Sequence, residues 1–331
     1  MPYKARLKTG EPRKRKKPDY RVTNAQAYNQ SLRQRGMISL YVPVGDLKAQ
    51  FINAKVRTPG VSGREPTYTT AYIELIFTFY RLFGWGMRQI TGYMEDYWAT
   101  RGLDIAVASA SQLGARFASL EMSVTQRCEH LGRRLARGEA ISLIVDSTGL
   151  SFGRASQWYE EKYGQKAART PWRKMHLPID ANMNVHVIRI TTTEVSDNEG
   201  VDAVLPDGLP LECVIADGAY YSIERTEALS QAGITPVIPP SAHAVVHGKA
   251  DSRWHDQITA YIKEKGIHAF QKKYGYGRRS LVEAQISRLK RCVGERLLTQ
   301  KIALQENEGV IIGNLVNLWN SFGRCVCVKN G

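Results

Sequence analysis

The amino-acid sequence predicts a mixed α/β fold in which a helical N-terminal region precedes a mixed β-sheet. Apolar residues recur at helical spacing through residues 23–137, whereas short apolar runs rich in β-branched residues begin at Ile141. From there the pattern runs strand, hairpin, strand, helix, strand and helix. With 331 residues, 43% of them hydrophobic, the chain can bury a sizeable core and form more than one domain.

The charge balance favours a polyanionic partner. The chain has 46 Lys and Arg residues against 31 Asp and Glu residues, a net charge of +15, and such surfaces attract phosphates. DNA is therefore the first partner to consider.

The N-terminus lacks an apolar segment and no apolar run is long enough to span a membrane, so we expect a cytoplasmic protein. Five cysteines without a CxxC pair support neither a disulfide framework nor a zinc site.

The first 22 residues are predicted to form a basic arm. They include the run RKRKK between two prolines and lack the apolar residues needed for packing. The arm is expected to be disordered until it meets an acidic partner, and a solubilising tail is an equal alternative. Short helices are expected over residues 23–53, and the Pro, Gly and Ser content of residues 56–68 indicates a linker.

The remaining helical region, up to residue 137, suggests a DNA-binding unit. A helix is predicted over residues 69–83 and ends at Gly84. Two shorter amphipathic helices follow, the second capped by Ser109. They are compatible with a helix-turn-helix whose second helix presents Gln112 and Arg116, with Ser111, to DNA. A plain helical bundle has the same pattern.

Two carboxylates lie where predicted strands end. Asp146 follows the run ISLIV, and Asp217 follows ECVIA. Ligands bind at the carboxyl ends of strands in open α/β sheets, so the two aspartates are expected to meet there. A strand-end aspartate is also a common turn residue, and that reading remains open for each of them.

A third carboxylate lies in a basic helix. On a helical projection of the stretch YGYGRRSLVEAQISRLKR, the side chains of Tyr276, Arg279, Glu283 and Lys290 fall within an arc of roughly 60°. An adjacent apolar stripe would dock this helix on the sheet; it consists of Val282, Ile286, Leu289 and Val293. Glu283 would then lie at the rim of the packed face. Ion pairing on a solvated helix is the alternative.

Together the three acids indicate a site for hard divalent cations. Carboxylates without clustered His or Cys favour two Mg²⁺ or Mn²⁺ ions over zinc. Two such ions can activate an attacking oxygen and stabilise a leaving oxygen at a phosphodiester.

The spacing of the basic helix resembles a known family signature. Tyr276, Arg279, Glu283 and Lys290 match Y-x2-R-x3-E-x6-K of bacterial insertion-sequence DDE transposases. The blocks IVDSTGL, WRKMHLPID, ADGAY and VIPP are similar to those of the insertion-sequence-five family. The similarity extends weakly from residue 23 and strongly from residue 140 to about residue 320.

The resemblance implies an RNase H-like catalytic core, over residues 138–325 with an insertion at 241–273. Asp146, Asp217 and Glu283 would bind two metal ions for cleavage at the transposon ends and joining of the 3′-hydroxyls to target DNA. Tyr276, Arg279 and Lys290 would hold the terminal inverted repeats. A homodimer or higher oligomer at the bacterial nucleoid is implied, because two ends must be handled together.

Two further basic residues, Arg173 and Lys174, are candidate DNA contacts because they open a strand near Asp146.

Two other functions remain open. One is a DNA-binding protein or repressor without catalysis, which intact Asp146, Asp217 and Glu283 argue against. The other is an RNase H-like nuclease without strand transfer, which leaves the basic stripe less explained.

Overall fold

A computed structural model describes residues 19–53, 67–153, 171–206 and 208–330. The run RKRKK and most of the predicted linker lie outside these residues. In the described chain the helices are α1 (Ala25–Gln34), α2 (Leu47–Phe51), α3 (Thr70–Phe83), α4 (Met87–Ala99), α5 (Ala110–Ala118), α6 (Glu129–Ala136), α7 (Asp197–Asp202), α8 (Ile223–Gln231), α9 (Arg253–Lys265), α10 (Ile267–Lys273), α11 (Ser280–Cys292) and α12 (Ile302–Phe322). The strands are β1 (Tyr20–Val22), β2 (Ile141–Ser151), β3 (Trp172–Asp180), β4 (Arg189–Thr191), β5 (Leu211–Ile215), β6 (Thr235–Val237) and β7 (Cys327–Lys329).

The chain divides into two compact units. The smaller comprises the chain up to Leu40 and from Phe322 onward, and in it β1 and β7 form a two-stranded antiparallel sheet. The larger comprises residues 41–321 and contains both the helices α2 to α6 and the main sheet. The sequence-predicted domain boundaries at residues 22 and 137 stay predictions. In the described part of the chain, no helix is long and apolar enough to cross a membrane.

Helix α3 is the centre of the helical region, as its apolar content predicts. The Thr69 hydroxyl accepts a hydrogen bond from the Tyr72 amide at its start, and Gly84 ends it with φ of 66°. Its buried face includes Phe77, whose ring stacks on that of Phe117 in α5 with centroids 3.5 Å apart. The predicted helix and its end are confirmed.

The two helices after α3 are present, but no tight turn joins them. Ile90, Met94 and Trp98 form the buried face of α4, and Ser109 caps α5 as predicted. Ten residues, 100–109, separate the helices, whereas a helix-turn-helix turn has three or four. Both helices bury their apolar faces beside α3, which is the packing of a helical bundle.

The main sheet has the strand order β4-β3-β2-β5-β6. The pairs β4–β3 and β3–β2 are antiparallel, and β2–β5 and β5–β6 are parallel. All the predicted strands and the predicted hairpin are confirmed. One expectation is wrong: Asp146 does not end its strand, because pairing with β3 continues β2 to Ser151.

Both faces of the sheet are covered, which makes three layers. One face packs against α9 to α12 through a core that includes Leu177, Val282 and Leu289. The other packs against α7 and α8 through Val145 and Val214. This arrangement is the RNase H-like mixed α/β core that the sequence predicts, preceded by a helical region.

Helix α12 and α3 are joined by a buried ion pair. The Arg81 guanidinium of α3 lies 3.0 Å from Glu308 of α12, and the two side chains are 1% and 2% exposed. Arg81 also donates to the carbonyls of Val293 and Arg296, which follow α11. Glu308 accepts hydrogen bonds from the amides of residues 298 and 299. The helical region is thereby fastened to the segment after α11.

Candidate active site

Strand register brings the first two carboxylates together. Ile144 of β2 pairs with Ile215, the last residue of the parallel strand β5; Asp146 lies two residues further along β2, and Asp217 lies two residues beyond the end of β5. Alternate residues of a strand face the same side, so both aspartates face the side of the sheet that α11 covers. The Asp217 carboxylate accepts a hydrogen bond of 2.6 Å from the Ala219 amide, which orients it.

The third carboxylate comes from α11, whose start differs from the prediction. The sequence predicts one continuous helix from Tyr276, but Tyr276–Arg279 form a 3₁₀ turn after Gly275, which has φ of 66°. The α-helix begins at Ser280. Val282 and Leu289 are fully buried against the sheet. Glu283 is therefore presented at the edge of the packed face, as the sequence predicts.

Helix α11 is also held by the turn between β3 and β4. Gln285 of α11 is fully buried and donates to the carbonyl of Met183, a residue with φ of 63°. The Asp180 carboxylate stabilises this turn by accepting from the amides of Asn182 and Asn184. The position of Glu283 thus depends on a polar turn on the neighbouring hairpin.

One guanidinium contacts all three carboxylates. Arg279 Nη1 lies 3.7 Å from Asp146 Oδ2 and 3.8 Å from Asp217 Oδ2, and Nη2 donates to Glu283. The exposed fractions of the four side chains are 21% for Asp146, 43% for Asp217, 51% for Glu283 and 23% for Arg279. The cluster is open to solvent on the side of Glu283 and Asp217, and it contains three acids for one cation.

Asp146 is the most buried of the three carboxylates. Burial raises the pKa of Asp146, and the carboxylates of Asp217 and Glu283 raise it further, against the Ser147 amide and Arg279, which lower it. Burial also raises the pKa of the Tyr276 hydroxyl. Ionisation of Asp146 is therefore costly, and a nearby cation would offset that cost.

The donor set fits a hard divalent cation in its chemistry. One oxygen of each of the three carboxylates lies near the Arg279 guanidinium, and carboxylate oxygens are the ligands that Mg²⁺ and Mn²⁺ prefer. Among the described residues, no group of three or more His, Cys, Asp or Glu side chains is close enough to hold a metal ion as it stands. The Arg279 guanidinium occupies the space between the carboxylates. Ion binding would require it to move.

Cavities open on both sides of Glu283. One, of about 350 Å³, is lined by Asp146, Glu283 and Lys290 together with Arg291. The other, of about 420 Å³, is lined by Tyr276, Arg279 and Glu283 and by side chains of α10. The four residues of the predicted signature thus line two cavities that share Glu283.

The other predicted DNA contacts lie away from the carboxylates. Arg173 pairs with Leu150, four residues along β2 from Asp146, which is roughly 13 Å. Its guanidinium donates to Gln305 and lies over the Phe152 ring. Lys174 donates to the Val195 carbonyl. Both residues contribute to packing of the hairpin, and their DNA contacts stay predictions.

One of the candidate contacts in α5 also has a structural partner. Gln112 accepts hydrogen bonds from the amide and hydroxyl of Ser109, which completes the helix cap. Arg116 is half-buried. Trp158 and Tyr159, an aromatic pair that could stack on unpaired bases or pack in the core, lie outside the described residues. DNA reading by α5 stays a prediction.

Sequence reasoning missed three polar side chains of α10 beside the signature residues. His268, Gln271 and Lys272 line the cavity that also contains Tyr276 and Arg279. They lie in the segment predicted as an insertion, where no spacing pointed to the site. Only the fold brings α10 next to α11.

Comparison with known families agrees with this geometry. A family model described as a transposase DDE domain matches residues 138–318, more than half of the chain. The chain belongs to the transposase DDE domain family. A second model with the same description matches residues 33–154. No solved structure matches this DDE transposase. Membership makes it an enzyme of DNA transposition that binds DNA, and the matched region contains Asp146, Asp217 and Glu283.

Proposed function

We propose that Asp146, Asp217 and Glu283 are the catalytic residues of a transposase of the insertion-sequence-five type. The observation that carries this proposal is the convergence of all three carboxylates on the Arg279 guanidinium. Each acid comes from a different element, so their meeting depends on the tertiary fold. A cluster of three acids and one cation at an open edge has excess negative charge and is suited to binding a further cation.

The three carboxylates would hold Mg²⁺ or Mn²⁺, two ions in all. When bound, such ions supply Lewis acidity that lowers the pKa of an attacking water or hydroxyl and stabilises a leaving oxygen. Asp146 and Asp217 are kept in place by strand register, and Glu283 by the buried contacts of α11. The chain therefore presents all three carboxylates from ordered positions of the fold.

The cavities beside Glu283 would receive the DNA backbone. Tyr276, Arg279 and Lys272 line one cavity, and Lys290 and Arg291 line the other. Arginine, lysine and tyrosine side chains donate to phosphate oxygens and fix the position of a scissile phosphodiester. The reaction would free a 3′-hydroxyl at the transposon end, and that hydroxyl would then attack a target phosphodiester. No covalent bond to the protein is needed.

A strand-transfer assay tests the proposal. The protein is incubated with Mg²⁺, a labelled duplex carrying the element's terminal inverted repeat and a target plasmid. We expect nicks at the 3′ end and joined products with the wild-type chain. Glu283→Gln should bind the duplex in a gel shift but form neither product. Joining by Asp146→Asn or Asp217→Asn at the wild-type rate would contradict the assignment.

We further propose that two or more chains act together on DNA, because the two ends of an element must be joined in one event. Light scattering of the protein with and without the inverted-repeat duplex should show a mass of at least two chains in the complex. A complex of one chain per duplex that still joins paired ends would contradict this.

A further inference from the structure

The position of Arg279 has a consequence for metal binding, which rests on the proposed function because it concerns the same carboxylates. Among the cations in the described part of the chain, Arg279 alone forms ion pairs with Asp146, Asp217 and Glu283. Its two terminal nitrogens point to different acids. The guanidinium therefore neutralises part of a charge that the fold has brought together.

A divalent ion and this guanidinium compete for the same oxygens. An ion bound to carboxylate oxygens would lie within a few ångströms of a guanidinium in ion-pair contact with them, where like charges repel strongly. The cluster has three negative charges, so either kind of cation is attracted. Both cannot occupy the shared space.

A cavity beside the cluster offers the Arg279 guanidinium an alternative position. Arg279 lines the 420 Å³ cavity beside Tyr276 and Lys272, and a flexible arginine side chain can reach a phosphate there with a bidentate pair of hydrogen bonds. Its side chain is 23% exposed, so the movement does not require the core to open.

We propose that Arg279 is a built-in competitor of the divalent cation. Its guanidinium holds the carboxylates together before metal binds, leaves them when metal binds, and then contacts the DNA phosphate. Metal binding and DNA binding therefore favour each other: metal releases the phosphate ligand, and phosphate holds Arg279 away from the metal site. By linkage the two effects must be equal in size.

Mn²⁺ binding in the absence of DNA tests the competition. Unbound Mn²⁺ is measured by electron paramagnetic resonance in titrations of the wild-type chain, Arg279→Gln and Lys290→Gln. Lys290 is the matched control because it has the same charge and lines the other cavity with Asp146 and Glu283. We expect Arg279→Gln to bind Mn²⁺ about tenfold more tightly than wild type, and Lys290→Gln to change affinity by much less.

Equal changes in Mn²⁺ affinity for Arg279→Gln and Lys290→Gln would mean that only the overall electrostatic potential of the site affects metal binding. Weaker Mn²⁺ binding by Arg279→Gln would mean that Arg279 favours metal binding. Either result would overturn the proposal. Arg279→Lys, which keeps the charge but not the forked reach, should fall between wild type and Arg279→Gln. Circular dichroism checks that each variant is folded.

DNA affinity supplies a second readout that does not need catalysis. The dissociation constant of an inverted-repeat duplex is measured with Ca²⁺ and with a chelator. The dissociation constant with the chelator, divided by that with Ca²⁺, should be larger for wild type than for Arg279→Gln. An equal ratio in the two proteins would contradict the coupling.

Asp146→Asn separates the two proposals. If it leaves Mn²⁺ affinity unchanged, the metal site itself is wrong and the competition fails with it. If it abolishes Mn²⁺ binding while Arg279→Gln binds no more tightly than wild type, only the competition fails.

Discussion

Two arginine–carboxylate clusters in the larger unit show how burial and charge balance separate a structural contact from a candidate functional one. Arg81 and Glu308 form a pair with one charge of each sign, 1% and 2% exposed, and each has further hydrogen bonds to backbone. Arg279 faces three carboxylates whose exposed fractions reach 51%. The first cluster is sealed and balanced, so it holds elements together. The second has excess negative charge, is open, and has capacity for another cation.

The largest expected effect comes from neutralising an acid of the open cluster. Asp146→Asn should lower strand transfer by at least about a thousandfold, because one set of metal ligands is lost. Stability should not fall. The folded pKa of Asp146 is raised, so its ionisation disfavours the folded state, and the wild-type chain loses stability as pH rises from the unfolded to the folded pKa. Urea unfolding at pH 7 should find Asp146→Asn at least as stable as wild type.

Asp104→Asn is a control for the loss of one negative charge, because Asp104 is an exposed partner of Lys48 and belongs to the helical region, between α4 and α5. It should retain wild-type strand transfer. Comparable losses in the two variants would mean that total charge, rather than the cluster, determines activity.

The balanced cluster should respond in the opposite way. Glu308→Gln leaves the Arg81 charge buried without its partner, and the free energy of unfolding should fall by about 3–5 kcal/mol. Urea denaturation measures this. Glu129→Gln, which breaks an exposed pair with Arg133, should leave the urea midpoint nearly unchanged. If both variants were equally stable, burial would not distinguish the two kinds of pair.

A smaller effect is expected at the turn that supports α11. Burial raises the pKa of Asp180, but the His186 ring, 3.8 Å from Asp180 Oδ2, and hydrogen bonds from Asn184 outweigh it, so the pKa lies below the ordinary value. Asp180→Ala should cost about 1–3 kcal/mol at pH 7, because buried amides lose their acceptor.

The sign of the pH dependence follows from that lowered pKa. The contribution of Asp180 is fully present above the ordinary aspartate pKa of about 3.9 and is lost as pH falls through the folded value. The stability difference between wild type and Asp180→Ala should therefore shrink below about pH 4. A difference that stayed constant down to pH 2 would contradict the hydrogen-bonded, ionised form.

The smallest effect concerns one phosphate contact at the rim of the open cluster. Lys290→Gln should weaken binding of any DNA duplex and lower the slope of log affinity against log salt by about 1. Lys263→Gln, on α9 away from both cavities beside Glu283, is the matched control. An unchanged slope for Lys290→Gln would remove Lys290 from the DNA surface.

Local patterns were enough to predict most of the fold. The β-branched runs before Asp146 and Asp217 are strands because they are buried on both faces, and the stripe with Val282 and Leu289 docks α11 as its spacing predicts. The two aspartates meet because both strands are parallel neighbours. The sequence predicted that both aspartates lie at the carboxyl edge of the sheet, but not which residues of β2 and β5 pair.

What the sequence missed depends on long-range contacts. Ser147 to Gly149 looks like a turn, but β3 supplies hydrogen-bond partners that continue the strand. Gly275 adopts a positive φ that interrupts the predicted helix before Arg279. The convergence of Arg279 on three acids requires β2, β5 and α11 to be assembled first. Neither that convergence nor the approach of Lys272 has a signature in local spacing.

The central claim is that Asp146, Asp217 and Glu283 together form the metal-binding catalytic site. Anomalous scattering from crystals grown with Mn²⁺ and an inverted-repeat duplex tests it most directly. We predict Mn²⁺ peaks contacted by oxygens of all three carboxylates, with the Arg279 guanidinium on a phosphate. Mn²⁺ bound elsewhere on the chain, or Arg279 still bridging the carboxylates in the DNA complex, would contradict the account.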